Sequence, residues 1–328
     1  LPLFEQLAVV AASSLHEIKA LGLLTSEFLA ALPNNDDTLP ERYALIRKAV
    51  LDEMRTESLV PTYGGGFAPA ARLCQARASL KALLSSEDLA FVTGRNDQPE
   101  WSISATQKNS NQDRLLASLG IQSWDADKLK NFFETKARKN DGIWDDCELN
   151  QKVLTWLSAK PYDWLQSLYA LLHKHCEDQD DYGNLSDVYF VRLASQKWGT
   201  GSLAYFQTGP FSADDPLHRV DDRILTEGTK KAQQQDARRF LERLGVREPN
   251  ENDELVMLLG ARYGEKSTPP SDKEYLADLK RMMAFLEKNP TQKDTLTRYR
   301  IFKVASLSSQ WGKASNVYLD EPFARTEL

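Results

Sequence analysis

The sequence lacks the features that would place it in a membrane or outside the cell. No apolar run approaches the roughly 20 residues that a membrane-spanning helix requires, and Leu7–Ala12 is among the longest candidates. Cysteine is scarce, with only Cys74, Cys147 and Cys176 in 328 residues. Their odd number and wide spacing favour free thiols in a reducing compartment over a disulfide framework. We therefore expect a cytoplasmic protein without a membrane partner.

Positive charge is also in deficit. The chain has 41 Lys and Arg against 47 Asp and Glu, a net charge of −6. This balance gives no general attraction to nucleic acid or to an acidic membrane, so any nucleic-acid contact would need a local basic patch. The segment Asp236–Arg243 is a candidate patch, but a solvated helix face with ion pairs explains it as well. Nucleic acid is thus possible as a partner but is not indicated.

Catalytic and nucleotide-binding motifs are missing as well. There is no G-x-S-x-G nucleophile elbow. The segment Gly260–Ser267 (GARYGEKS) is not a P-loop, because its two glycines are one residue too close and Glu265 precedes the lysine. The glycines of Thr62–Phe67 (TYGGGF) suit a hairpin turn. We expect no cofactor to be bound by this chain.

The sequence does contain a pattern that occurs three times, in Ser58–Ala76, Val188–Thr208 and Arg300–Asp320. Each copy has an apolar alternating run, a polar or glycine-rich turn, an aromatic residue, small residues and a second short run. This pattern predicts a β-hairpin. The aromatic residues lie 131 and 113 residues apart and are Phe67, Trp198 and Trp311. We expect them to anchor each hairpin to a helix rather than to stack on a base or peptide.

A second pattern follows each of the first two hairpins. The segments Leu115–Phe133 and Phe240–Leu259 both read as a helix that ends in Leu-Gly-Ile or Leu-Gly-Val, a polar turn and another helix. Gly120 and Gly245 suit a helix C-terminus, where a positive φ favours glycine. The possible N-caps of the following helices are Asp125 and Asn252.

Helices are predicted before the three hairpins, at Glu41–Met54, Asp163–His175 and Lys273–Lys288. The first fifteen residues also predict a core helix. The expected fold is therefore α+β and predominantly helical, with two to three similar helix-helix-β-hairpin units in an extended array. The predicted units are 1–110 (incomplete at its N-terminus), 111–235 and 236–328 (truncated at its C-terminus). We accordingly expect the chain to be an interior segment of a longer protein.

The segment Glu17–Leu89 carries Leu-Leu-Thr, Leu-Pro and Arg-Tyr, then a helix that leads to Leu-Val-Pro-Thr with a nearby glycine and Pro-Ala. The closing segment Trp311–Leu328 carries Trp-Gly-Lys-Ala, Val-Tyr-Leu-Asp-Glu-Pro-Phe and Thr-x-Leu. In these phrases the chain resembles the region downstream of the ATPase in large bacterial proteins with a sacsin-type, Hsp90-like (GHKL-type) ATP-binding domain.

The resemblance implies a role but no active site in this chain. The family's nucleotide site needs an acidic residue and an Mg-binding Asn on one helix, a DxGxG-type turn and a glycine-rich lid, and these motifs are missing here. ATP and Mg²⁺ would therefore belong to another part of the parent protein. Such proteins look chaperone-like, and several resemble components of bacterial defence loci. The implied partners are other domains of the same chain and a protein partner or client.

An enzymatic alternative stays open. Asp145 and Asp146 in IWDDCE, with Asp221 and Asp222 in DDR, are carboxylates of the kind that hold cations in a metal-dependent nuclease. The segment His173–Cys176 (HKHC) also contains metal-ligand types, although no second pair of His or Cys accompanies it. A nuclease requires these clusters to converge in one pocket, whereas a scaffold would leave them scattered.

Overall fold

The computed structural model describes residues 2–32, 41–103, 109–137, 149–208, 217–265, 267, 270–304 and 311–317. Over these ranges the chain is predominantly helical and carries short antiparallel hairpins, so the predicted α+β class is confirmed. None of the described helices is long and apolar enough to span a membrane.

The helices and strands are short, apart from a few helices of four to five turns. The described helices are α1 Pro2–Ala20, α2 Ser26–Ala31, α3 Glu41–Thr56, α4 Ala78–Leu83, α5 Ser86–Thr93, α6 Asn111–Ser118, α7 Ala126–Asn131, α8 Gln151–Ser158, α9 Tyr162–Gln179, α10 Arg223–Thr226, α11 Lys231–Arg243, α12 Glu251–Tyr263, α13 Asp272–Lys288 and α14 Lys293–Thr297. The described strands are β1 Val60–Pro61, β2 Phe67–Ala68, β3 Leu73–Gln75, β4 Glu100–Trp101, β5 Gln122–Ser123, β6 Val191–Arg192, β7 Trp198–Gly199, β8 Phe302–Lys303 and β9 Trp311–Gly312. The three helices predicted before the hairpins are present as α3, α9 and α13.

The chain divides into two compact units. One comprises Leu1–Val188 with Ile224–Phe240, and the other comprises Tyr189–Arg223 with Leu241–Leu328. These borders do not coincide with the borders at 110/111 and 235/236 that the sequence repeat predicts. A repeat in sequence and a compact body are different properties, so the three-part division stays a prediction about the repeat.

A layer of helices covers the first hairpin in the first unit. Helix α1 packs along α3, and their shared core includes Leu15, Leu51 and Met54, each almost fully buried. The same core continues into Val60 and Ala68 of the hairpin. Burial of a Leu or Met side chain contributes about 1.5–3 kcal/mol, so this core holds the strand pair β1–β2, which is too short to be stable alone.

The first hairpin leads into a small parallel sheet, and together they form what we call the first module, residues 60–131. Strands β1 and β2 pair antiparallel, with Pro61 opposite Phe67. Strand β3 then lies between β4 and β5 and is parallel to both. Three backbone hydrogen bonds join the hairpin, β3 and β4: Tyr63 N–H to the Trp101 carbonyl (2.8 Å), Ile103 N–H to Pro61 (2.9 Å) and Ser102 N–H to Cys74 (2.9 Å).

The same pattern recurs in the second unit, where residues 191–206, 217–221 and 241–263 form the second module. Strands β6 and β7 pair with Arg192 opposite Trp198, and Tyr205 bridges in parallel to Arg219 and to Arg247. The three corresponding backbone bonds are Ala194 N–H to Arg219 (2.8 Å), Asp221 N–H to Arg192 (3.0 Å) and Val220 N–H to Tyr205 (2.9 Å). The repeat predicted from sequence is therefore also a repeat of backbone hydrogen bonding.

The turns of the hairpins repeat in detail. In the first module, Gly65 N–H donates to the Thr62 carbonyl and Gly65 has φ +88°; in the second, Gln196 N–H donates to Leu193 and Gln196 has φ +64°. Both are three-residue loops with a left-handed residue in the last position. A 3₁₀ turn follows each of the three hairpins, at Ala70–Arg72, Gly201–Leu203 and Ala314–Asn316.

The predicted helix ends are present, with one correction. Gly120 and Gly245 have φ of +79° and +102° and follow the last residues of α6 and α11 closely. Asp125 caps α7 by accepting from the Lys128 N–H (3.0 Å). The N-cap of α12 is Asn250, which accepts from the Asp253 N–H (2.9 Å). The prediction of Asn252 as this cap was wrong, because α12 begins at Glu251, so that Asn252 is already its second helical residue.

Candidate functional site

The three hairpin aromatics all contact other side chains in their own unit. Phe67 is half-buried against the first core, and the Lys19 ammonium lies 4.7 Å from its ring centre. Trp198 lies under the Arg192 guanidinium at 5.0 Å. Trp311 is buried, and its ring meets two tyrosines edge-on, Tyr275 at 4.9 Å and Tyr263 at 5.8 Å. The anchoring role stays a prediction, because contacts alone do not measure each ring's contribution to stability.

The acidic candidates for a nuclease site are only partly within the described residues. Asp145 and Asp146 lie outside them. Asp221 is buried, and its two carboxylate oxygens accept from the Arg223 guanidinium at 2.9 and 2.7 Å and from the Gln196 amide at 3.2 Å. Asp222 is exposed beside it. Asp221 is thus an ion-paired carboxylate, and the nuclease alternative, which also requires Asp145 and Asp146, stays a prediction.

Two residues of the HKHC segment, His173 and Cys176, are buried in the first unit. His173 is buried, and its Nδ1 is hydrogen-bonded to the Tyr182 hydroxyl at 2.9 Å. Burial raises the pKa of the Cys176 thiol to about 11, so the thiol is protonated and unreactive at neutral pH. Within the described ranges, no three His, Cys, Asp or Glu side chains come together in a way that could hold a metal ion.

A buried lysine is the feature that sequence reasoning missed. Lys81 is only 4% exposed, and its ammonium donates to Gln75 Oε1 (2.8 Å), the Ser102 carbonyl (2.6 Å) and the Ile103 carbonyl (2.7 Å). Burial lowers the pKa of this ammonium to about 8. Since three oxygens accept its three protons, Lys81 acts as a clamp at the carboxyl ends of β3 and β4 rather than as a nucleophile. No sequence motif predicts the burial of Lys81, because lysine side chains are rarely buried.

The face of the first unit that can bind a partner is an apolar stripe on α1. Leu3, Leu7 and Val10 follow the helical spacing and are 62%, 41% and 58% exposed. The opposite side of α1 packs inward through Ala8 and Leu15, which are buried. The prediction of a core helix is therefore right for one side of α1 and wrong for the other. The signal was present in the sequence, since α1 carries more apolar positions than one buried face requires.

Comparisons with known proteins return no match. No protein-family model matches this chain, and no curated protein or solved structure matches it. The similarity to large Hsp90-like proteins therefore rests on the quoted phrases alone.

Proposed function

We propose that this chain is a non-catalytic scaffold and partner-interaction region of a larger, chaperone-like, Hsp90-like ATPase of bacterial cytoplasm. The observation that carries the proposal is the apolar stripe Leu3, Leu7 and Val10, which is exposed although the other side of α1 packs inward through Ala8 and Leu15. Such a stripe on a well-packed helix is typical of a protein-interaction face. A role in bacterial defence belongs to the same proposal and rests on the resemblance.

The occupant that we propose for the stripe is a neighbouring segment of the same parent protein. The backbone pattern of the first module recurs in the second, and units of a repeat bury their apolar faces against adjacent units. ATP and Mg²⁺ would then be bound by the ATPase domain, outside this chain. The scaffold would pass nucleotide-dependent motion to later domains or hold a client protein.

Hydrogen–deuterium exchange tests the proposed contact. The amides of Leu3–Val10 are expected to exchange at least tenfold more slowly in the parent protein than in the 328-residue chain, because the stripe is covered in the parent. Leu7→Asp in the parent should abolish this difference. Val9→Asp is the matched control, since Val9 is 70% exposed on another side of the same helix. Equal exchange in parent and segment would exclude the contact.

The natural open reading frame tests the parent itself. We expect an ATP-binding domain upstream of Leu1 and further sequence after Leu328. An open reading frame that encodes only these residues and an initiator Met would exclude both the scaffold role and the occupant.

A further inference from the structure

A groove beside the parallel sheet of the first module is lined by cations and an available aromatic ring. It has a volume of about 420 Å³, and its polar lining consists of Thr93, Arg95, Gln122, Trp124, Lys128, Asn131 and Lys136. None of the described residues that line it is acidic. The volume is that of a small-ligand site, and the charge is opposite in sign to that of the chain as a whole. We call it the Trp124 groove.

A backbone hydrogen bond positions Trp124, whereas its indole ring is open to a ligand. Its backbone N–H donates to the Gln75 carbonyl at 2.6 Å, which fixes the residue at the end of β5. The indole N–H groups of Trp101, Trp156 and Trp164 each donate to the protein. For the half-buried Trp124 ring, no hydrogen bond or aromatic contact exists among the described residues. A ring presented in this way offers a face for stacking.

The positive charge of the groove comes from its two lysines. Arg95 is already neutralised, because Asp97 accepts from its Nε at 2.9 Å and from its Nη2. Lys128 is exposed and donates to the Ser123 carbonyl, which is uncharged. Lys136 is exposed one π-helical turn beyond α7. Lys136 follows Lys128 by eight residues, which is about 12 Å at the α-helical rise, so the two lysines suit separate anionic groups better than a single one.

The two modules differ in the charge of the third helical residue after the N-cap, which is Lys128 in the first module. It occupies the third helical position after the N-cap Asp125, where the helix dipole favours an acidic residue. The second module has Asp253 in this position, and Asp253 pairs with Arg247 at 2.5 and 2.6 Å. Pro249 there replaces Trp124. The first turn of α7 has its own acidic residue, Asp127, so what distinguishes the first module is the exposed cation beside an open aromatic ring.

We propose that the Trp124 groove binds single-stranded nucleic acid, with a base stacked on the Trp124 ring and successive phosphates on Lys128 and Lys136. Stacking on an aromatic ring beside a basic track is how proteins hold single strands without reading their sequence. The Gln122 and Asn131 amides add hydrogen-bond groups for a base edge. A free nucleotide shares this chemistry, but it carries its phosphates at one end and would leave one lysine unused.

Fluorescence anisotropy with a dye-labelled single-stranded 12-mer at 50 mM salt tests the proposal on the full chain. Trp124→Ala is expected to weaken binding by about 5- to 100-fold, because stacking contributes about 1–3 kcal/mol per base. Trp124→Phe should retain most of the binding. Lys128→Gln and Lys136→Gln should each lower the slope of log affinity against log salt by about 0.7. The matched controls are Lys230→Gln and Lys231→Gln, which change exposed lysines that line a different groove.

The melting temperature of each variant is the folding control. A variant that melts at the unmutated chain's temperature but binds the 12-mer more weakly has lost binding without unfolding. Adenosine monophosphate that binds as tightly as the 12-mer, with the same Trp124 dependence, would assign the groove to free nucleotides. Polyglutamate that competes as well as the 12-mer at equal charge would overturn the proposal in favour of an acidic peptide. The absence of an anisotropy change at chain concentrations up to 1 mM would also overturn the proposal. So would Trp124 and Lys128 variants that bind the 12-mer as tightly as the unmutated 328-residue chain.

Discussion

The two modules share their backbone hydrogen bonds but not their side-chain chemistry. In the first, the sheet ends in a buried amide, hydroxyl and ammonium contributed by Gln75, Ser102 and Lys81. In the second, Phe206 and Val220 stand at the positions of Gln75 and Ser102, and both are buried. The comparison teaches that the two modules share their main-chain pairing and the helix that ends in glycine. The side chains buried at the end of the sheet differ between them.

The largest expected effect concerns the first residue of the 3₁₀ turn after the hairpin, which is Gly201 in the second module and Ala70 in the first. A Cβ on Gly201 would lie 2.6 Å from the Leu244 Cβ and closer still to the Leu244 carbonyl oxygen. The first module tolerates a methyl group here, at Ala70. Gly201→Ala should therefore cost about 3 kcal/mol by overpacking, against about 1 kcal/mol for Ala70→Gly. Urea unfolding of the two variants measures both, and a cost of about 1 kcal/mol or less for Gly201→Ala would mean that Leu244 can move away from the added methyl group.

The next effect concerns the Lys81 clamp. Lys81→Met should cost about 2–3 kcal/mol, because Gln75 and two carbonyls lose their buried donor. Making the first module like the second, with Gln75→Leu and Ser102→Val added, should recover about half of this loss. Unfolding midpoints of the single and triple variants are the measurement. A triple variant no more stable than the single variant would show that the remaining carbonyls alone set the cost.

The same lysine makes the stability of the first module depend on pH. Its folded pKa of about 8 lies below its unfolded value of 10.5, so the unfolded chain binds more protons between these pH values. Unfolding free energy should consequently rise by on the order of 1–3 kcal/mol from pH 8 to 10.5. Below pH 8 both states are protonated and the contribution is constant. Subtracting the Lys81→Met profile isolates the effect, and parallel profiles would contradict it.

The helix-ending glycines should differ by less. Gly120 and Gly245 both have positive φ, so alanine costs about 1 kcal/mol at either position. A Cβ on Gly120 would meet nothing within 4 Å, whereas one on Gly245 would lie 3.4 Å from the Ser202 Cα. That distance is an ordinary van der Waals contact, but the φ of +102° at Gly245 lies farther from the left-handed well than the +79° at Gly120. We therefore expect Gly245→Ala to cost up to about 1 kcal/mol more than Gly120→Ala. Thermal melts of the pair test this, and the reverse order would contradict a cost set by backbone strain.

The smallest effect is expected at the hairpin turns. Gly65→Ala should cost about 1 kcal/mol because of its φ of +88°. Gln196→Gly removes a similar strain but also loses bonds to Arg192 (2.6 Å) and Asp221 (3.2 Å), so its net change should be within about 0.5 kcal/mol. The urea unfolding midpoints of Gly65→Ala and Gln196→Gly, measured side by side, show whether the side-chain hydrogen bonds of Gln196 offset its backbone strain. A stabilisation above 1 kcal/mol would mean that they do not.

Local signals made much of this fold predictable. The hairpins, the helices before them and the ends at Gly120 and Gly245 follow from turn chemistry and periodicity, which act over a few residues. The groups that converge from distant parts of the chain did not follow. Lys81, Gln75 and Ser102 meet only because β3 and β4 pair, and no local pattern encodes that pairing. Trp124 was likewise not predicted, since only the groove that Arg95 and Lys136 help to line around it sets it apart.

The central strand β3 receives both of its neighbours from later in the chain, β4 and β5. During synthesis the hairpin and β3 therefore leave the ribosome before either partner strand. One edge of β3 stays open until Trp101 has emerged, and the other until Ser123 has emerged. Exposed strand edges of this kind invite pairing with other chains. Closure of the sheet also requires non-local contacts, which slows folding. A cell that makes this protein must shelter β3 for the time that the ribosome takes to add about fifty residues.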